Sequence, residues 1–360
     1  MTQKIVFTGG GTAGHVTPNM ALIDALQAEH WTIDYIGSAA GVEKNMIEAI
    51  HIPFHVIRCG KLRRYWSWKN LYDPINMLIG IAQSYGLLRR LKPNVVFSKG
   101  GFVAFPVVVG AWLNRIPVIA HESDMSPGLA NRMSFPFVDK ICINFAAASR
   151  HFKNKNKIEL TGTPIRRELF KGDARKGLAL CGFTADKPCL LVMGGSQGSS
   201  VINRCVRQAL DALCESFQVI HLCGRNHLDA SLSARAGYVQ FEYANAELPD
   251  LFAASDLILS RAGANALCEI LALGKPHVLV PLSRLSSRGD QIQNARYFER
   301  EGLSVVIAEE ALTPETLLMA VNHVFAQRDE LTSKMRVLNM GSATLKILEI
   351  IQRETSSHKK

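Results

Sequence analysis

Apolar positions fall into two kinds of run that alternate along the chain. Short continuous runs suit buried parallel strands, and longer stretches carry apolar residues at helical spacing. Ile5-Val-Phe7 is the first such strand, and Leu22, Ile23 and Leu26 mark the buried face of a helix opening at Thr17-Pro18. The pattern then predicts a strand over 32–38, a helix over 42–50 and a strand over 54–57. Leu71, Ile75, Leu78 and Ile79 place a helix over 70–91, followed by a strand over 94–98 and a helix over 104–113. A strand over 117–120, a helix opened by Ser126-Pro127 and short strands over 140–144 and 157–160 complete this half. Strands and helices that alternate in this way predict a doubly wound parallel sheet.

The pattern starts again after the breaker Thr161-Gly-Thr-Pro164. Residues 189–193 form a buried strand, and Ile202, Val206, Leu210 and Leu213 line one face of a single helix. Strands follow over 218–224, 238–241, 257–260, 276–281 and 304–308, with helices over 266–273 and 290–300 between them. Two helices, 314–326 and 329–352, end the chain, and the polar tail 354–360 reads as frayed. The expected organisation is α/β, with two Rossmann-like domains over 1–163 and 164–340.

Each half opens on a glycine turn between strand and helix. Gly9, Gly10, Gly11 and Gly14 follow the first strand, and Gly194-Gly-Ser-Gln-Gly198 follows the first strand of the second half. Such a turn aims backbone N–H groups and a helix N-terminus at one spot, which suits an anion. His15 sits at the rim of the first turn. Gly9, Gly11 and Gly14 also match the dinucleotide pattern G-x-G-x-x-G. That pattern needs an acidic residue at the end of the second strand, where this chain has Gly37-Ser38, with Asp34 too early.

Composition narrows the chemistry. Charged residues are 20% and hydrophobic residues 48%, as in ordinary globular enzymes. The net charge of +10 points to an anionic partner: nucleic acid, an acidic membrane or a phosphorylated substrate. The eight cysteines stand singly, with no Cys-x-x-Cys, and read as reduced core residues. No signal peptide and no membrane span are expected. One basic stretch is unusual: Trp66 and Trp68 stand among Lys61, Arg63, Arg64 and Lys69, just before the helix bearing Leu71, Ile75 and Leu78. It reads either as a core-facing helix with a solvated rim or as an interfacial patch, with aromatics in the lipid and cations on anionic headgroups.

Gly10-Gly-Thr-Ala-Gly-His15, Gly100-Gly-Phe102, His121-Glu122, Gly194-Gly-Ser-Gln-Gly198, Arg261-Ala-Gly-Ala264 with Glu269, and Asp290-Gln291 with Asn294-Ala295 occur in that order. The set resembles the MurG family of peptidoglycan UDP-N-acetylglucosamine transferases, from residue 4 to about residue 350. The resemblance implies a GT-B fold with two domains facing a cleft, and a final helix, about 341–354, crossing back to the first domain. It implies an inverting transfer of N-acetylglucosamine from UDP-N-acetylglucosamine to undecaprenyl-diphosphoryl-N-acetylmuramoyl-pentapeptide. The enzyme would work peripherally at the cytoplasmic face of the membrane, without a cofactor and without a nucleic-acid partner. The first domain would take the lipid and the second the donor. Donor contacts implied are Thr12, Ala13, Gly14, Asp124, Arg166, Ser196, Asn245, Ala264, Glu269 and Gln291. Glu269 would accept the ribose hydroxyls, Ser196 and its neighbouring amides a phosphate, and Gln291 the sugar. Arg166 would be a cation of the second domain at the cleft floor. His15 is the candidate general base, although a loop histidine also serves as a plain polar contact. No Asp-x-Asp occurs, so no tightly held metal is expected. The chain departs from the family at Ala13, where glycine is usual, at Phe102, where many members have tyrosine, and at Asp124, where many have asparagine. Alternatives are a GT-B enzyme glycosylating diacylglycerol, a dinucleotide-dependent oxidoreductase, and a UDP-sugar-binding scaffold without turnover.

Overall fold

A computed structural model describes residues 3–60, 69–195, 197–338 and 340–357. The chain divides into two compact units, Met1–Arg166 with Gly341–Lys360, and Arg167–Met340.

The first unit is built in chain order from β1 (Lys4–Thr8), α1 (Thr17–Ala28), β2 (Thr32–Gly37), α2 (Val42–Glu48), β3 (Phe54–Val56) and α3 (Lys69–Leu91). Then come β4 (Val95–Ser98), α4 (Ala104–Leu113), β5 (Val118–Glu122), α5 (Leu129–Ser134), β6 (Lys140–Ile143) and β7 (Ile158–Leu160). The strands are parallel in the order β3-β2-β1-β4-β5-β6-β7. Side chains of a strand alternate between faces, so β1 feeds two cores. Ile5 and Phe7 join Leu22 and Leu26 of α1, while Val6 joins Val107 and Val108 of α4 and Leu88 of α3. This sheet is covered on both sides, and the middles of its central strands are correspondingly apolar, as in Ile5-Val-Phe7 and Val95-Val-Phe97.

The second unit runs α6 (Ala174–Cys181), β8 (Cys189–Met193), α7 (Ser200–Gln208), α8 (Leu210–Ser216), β9 (Gln218–Leu222), β10 (Tyr238–Phe241) and α9 (Leu248–Ala254). It continues through β11 (Leu257–Ser260), α10 (Ala264–Ala272), β12 (His277–Leu279), α11 (Asp290–Arg300), β13 (Val305–Val306), α12 (Pro314–Ala326) and α13 (Arg328–Val337). Its parallel order is β10-β9-β8-β11-β12-β13, the same winding as in the first unit. The last helix, α14 (Ala343–Ser357), belongs to the first unit, where Ile347, Leu348, Ile350 and Ile351 pack into the core of β1 and α1.

The structure departs from the sequence expectation in several places. The expected helix 329–352 is two helices, α13 and α14; Gly341 falls in the break, and glycine weakens a helix interior. The helix read across residues 202–213 breaks at Ala209, whose N–H is shared between the carbonyls of Cys205 and Val206. Leu210 and Leu213 stay buried, so the apolar face survives the break. Helices α6 and α9 were not anticipated, although Asp173 and Gly182 flank α6 as an N-cap and a left-handed C-cap. The first unit extends to Arg166 rather than 163, because Thr161 and Gly162 both donate to the Ile143 carbonyl and Ile165 is buried.

Candidate functional site

In a doubly wound sheet ligands bind beyond the carboxyl ends of the strands where the order reverses. In the first unit that point lies between β1 and β4, and a glycine turn leaves each of them. The two turns touch: the Gly10 N–H donates to the Gly100 carbonyl at 3.2 Å. Gly101 has φ +87° and faces the Gly10 carbonyl so closely that no Cβ fits, so only glycine serves there. Beneath the first turn, Tyr35 Oη donates to the Gly9 carbonyl at 2.6 Å, and Asn19 Nδ2 donates to Tyr35 Oη at 3.1 Å. The turn's amides are not all bare, as the sequence reading had them. The Gly11 N–H donates to the carboxylate of Glu43 at 3.1 Å.

His15 closes a short 3-10 turn, Ala13–His15, directly before α1. It is half-buried, and its Nδ1 lies 3.0 Å from Thr12 Oγ1. Thr12 is exposed, and Ala13 and Gly14 are half-buried. At the end of β5, His121 is fully buried with Nε2 2.9 Å from the Gly162 carbonyl. Burial, and then the charge of Lys99, push its pKa far down, so it is a neutral structural imidazole. Glu122 accepts from Asn131 Nδ2 at 2.8 Å, the Asp124 N–H at 3.0 Å and the Gly128 N–H at 3.2 Å. Its pKa is raised by burial and by Asp124. Lys99 is buried and donates to Ser123 Oγ. Asp124 therefore stands half-buried on a loop of the first unit that Glu122 holds through the Asp124 and Gly128 N–H groups.

The second unit repeats the arrangement between β8 and β11. The Gly194–Gly198 turn leaves β8, and the Gly198 N–H closes it on the Gly195 carbonyl at 2.9 Å. Gly198 has φ +76° and packs on the Cys223 carbonyl. Ser199 caps α7, its Oγ accepting from the Ile202 N–H at 3.3 Å. Ser196 lies outside the described residues. Arg261, at the exit of β11, ties three segments together: it donates to Ser199 Oγ at 2.6 Å, Glu309 Oε1 at 2.5 Å and the Val280 carbonyl at 3.2 Å.

Helix α10 starts beyond Gly263, with Ala264 buried at its first position and Glu269 9% exposed. Glu269 is thus no solvated surface acid. Gln291 Oε1 accepts from the Leu282 N–H at 3.0 Å, and its Nε2 reaches the neighbourhood of Gly263. Asn294, fully buried, donates to the Ala262 carbonyl at 3.1 Å. Ala264 and Gln291 therefore lie at the exits of β11 and β12, and Glu269 stands more than a turn further along α10. Asn245 is exposed, and its N–H donates to Glu247 Oε2 at 3.1 Å. Arg166, read from sequence as a cation of the second domain, is the last residue of the first unit. Thr12, Ala13, Gly14 and Asp124 belong to the first unit as well. Sequence reasoning missed Glu43, Lys99 and Arg261 as organisers of these turns. Arg261 stood in a quoted motif without this role, and Glu43 left only the signal of an acid in the first turn of a helix.

Asp34, too early in its strand to serve a dinucleotide, is committed to other partners. Asp34 holds Lys4 Nζ at 3.0 Å and His55 Nε2 at 2.6 Å. All eight cysteines are free thiols, and burial pushes that of Cys142 up to about 12. Among the described residues, no group of three or more His, Cys, Asp or Glu is placed to hold a metal ion.

Comparison with known proteins names the family. The model of the glycosyltransferase family 28 N-terminal domain matches residues 5–143, and that of the family 28 C-terminal domain matches residues 189–351. A protein of Legionella pneumophila (strain Paris), named UDP-N-acetylglucosamine--N-acetylmuramyl-(pentapeptide) pyrophosphoryl-undecaprenol N-acetylglucosamine transferase, is 62% identical over 354 residues, covering 98% of each chain. A protein of the same name from Lachnoclostridium phytofermentans is 54% identical, covering 97% of this chain and 98% of its own. The crystal structure of Acinetobacter baumannii MurG shares the GT-B fold, with a TM-score of 0.77 at 24% identity over 98% of this chain and 99% of that one. With both halves matched in order and relatives this similar over their whole length, the chain belongs to the MurG family of UDP-N-acetylglucosamine transferases within glycosyltransferase family 28.

Proposed function

We propose that the chain transfers N-acetylglucosamine from UDP-N-acetylglucosamine to the muramoyl 4-hydroxyl of undecaprenyl-diphosphoryl-N-acetylmuramoyl-pentapeptide, in peptidoglycan synthesis. The observation that carries this is the 62% identity, over 98% of both chains, with a protein named for that reaction. The geometry supports a division of labour. The second unit offers a glycine turn ahead of α7 and a buried carboxylate on α10, suited to a nucleoside diphosphate. The first unit offers His15 on a buttressed turn.

In the proposed step the acceptor hydroxyl gives its proton to His15 as its oxygen bonds the anomeric carbon. The bond from that carbon to UDP breaks, and UDP leaves with the electron pair. One displacement inverts the configuration without a covalent intermediate. In the tautomer whose Nδ1–H donates to Thr12 Oγ1, Nε2 is the nitrogen that takes the proton. Arg166, Ser196, Asn245, Ala264, Gln291, Thr12, Ala13, Gly14 and Asp124 remain proposed donor contacts. A thermal-shift experiment tests the nucleotide. UDP should raise the melting temperature and NAD should not; stabilisation by NAD alone would overturn the reading.

The acceptor is a lipid, so the first unit has to reach a bilayer. No helix among the described residues is long and apolar enough to cross one. Ile75 and Leu78 on α3 are 54% and 68% exposed, as an interfacial face requires. Trp66, Trp68, Lys61, Arg63 and Arg64, and the side chains of Leu71 and Lys69, lie outside the described residues. The proposal is peripheral docking on the cytoplasmic leaflet through this stretch, with each basic residue contributing about 1 kcal/mol. Replacing Trp66 and Trp68 with serine, or Arg63 and Arg64 with glutamate, should release the protein from anionic vesicles in co-sedimentation and leave UDP binding untouched. Salt should weaken the charge contribution alone. Both variants sedimenting like the parent would remove the docking proposal.

A further inference from the structure

One buried acid of the first unit, as fully hydrogen-bonded as Glu122, stands outside every motif used above. Glu43, in the first turn of α2, is fully buried. Its Oε2 accepts from the Gly11 N–H at 3.1 Å, and its Oε1 accepts from the Ser38 N–H at 3.1 Å and Ser38 Oγ at 2.5 Å. Gly10 and Gly41 press on the same carboxylate so closely that a Cβ at either would collide with it. The anion cradle read from the first glycine turn is therefore filled, at Gly11, by a carboxylate of this chain. The carboxylate joins two loops that are remote in sequence, the turn after β1 and the connection after β2. The turn it holds is continuous with Thr12 and His15.

We propose that Glu43 is a positioning residue for the transfer reaction, fixing the first glycine turn so that His15 meets the acceptor hydroxyl in a productive geometry. This rests on the function proposed above. All three partners of Glu43 are donors, so the site has room for acceptors only. A glutamine there must set its NH2 against the Gly11 N–H or, turned over, against the Ser38 N–H, donor against donor, so the clamp between the two loops is broken at one end while side-chain volume is kept.

The test is steady-state kinetics of Glu43→Gln and Ser38→Ala in the full chain, with donor and acceptor varied separately. Glu43→Gln should lower kcat by about tenfold to a hundredfold, the scale of a misplaced catalytic group. UDP affinity by calorimetry, set by the proposed nucleotide-binding residues of the second unit, should match the parent's. Ser38→Ala keeps the carboxylate and its bond to Gly11, so its kcat should stay much nearer the parent's. A purely structural clamp would lower the melting temperature and leave kcat per folded molecule unchanged; that result overturns the proposal, as does Ser38→Ala losing as much as Glu43→Gln. Should Glu43→Gln fail to fold, Glu43→Asp supplies the reading. A carboxylate one methylene shorter cannot span both loops, so kcat should fall with UDP affinity held, and parental kcat overturns the proposal. An inactive parent overturns the function itself, which separates the two failures.

Discussion

His15→Ala should cut transfer about a hundredfold or more, the usual scale for losing a general base. UDP should bind the variant as it binds the parent. His15 and the proposed nucleotide-binding residues of α10 and α11 belong to different compact units. The imidazole is anchored by Thr12 Oγ1 on a turn that Tyr35 and Glu43 buttress from below. Removing the ring leaves those backbone bonds in place, so the fold should persist. The measurement is single-turnover transfer with saturating donor, paired with UDP calorimetry. Turnover near the parent's would make His15 a polar contact and send the search for the base elsewhere. His121 is a poor substitute, since it is fully buried and bonded to the Gly162 carbonyl.

Glu269→Ala should act on the other side of the ledger, weakening UDP-sugar affinity while leaving the chemical step almost intact. Glu269 is buried on α10, which starts where β11 ends, and two ribose hydroxyls donating to its carboxylate would be charge-assisted bonds. Losing such a bond costs roughly 1.5–3 kcal/mol, or about ten- to a hundredfold in dissociation constant. Glu269→Gln keeps the volume and removes the charge, which separates a ribose contact from a packing effect. Unchanged UDP affinity in both folded variants would sink the assignment.

The winding of both sheets was legible because buried parallel strands are short apolar runs and amphipathic helices repeat at 3.6 residues. Ile5-Val-Phe7 and the run from Cys189 to Met193 each announced a central strand. Local punctuation was read less well. Gly341 was passed over inside an otherwise helical pattern, and α6 was missed despite Asp173 and Gly182 at its ends. At the site, glycines and His15 could be picked out because a tight turn restricts residue type. The buttresses could not, since Glu43 meets Gly11 across 32 positions and Arg261 meets Ser199 across 62. A single sequence carries no signal for such pairs. The side that each residue serves was equally hidden. Arg166, expected in the second domain, lies in the first unit, and only the fold shows it.

The central claim is the identity of the reaction, and one assay tests it most directly. Radiolabelled UDP-N-acetylglucosamine is incubated with the full chain and either undecaprenyl-diphosphoryl-N-acetylmuramoyl-pentapeptide or diacylglycerol. The proposal predicts label in the muropeptide lipid, with equimolar release of UDP and none in diacylglycerol. Label in diacylglycerol alone, or donor bound without transfer to either lipid, would contradict it.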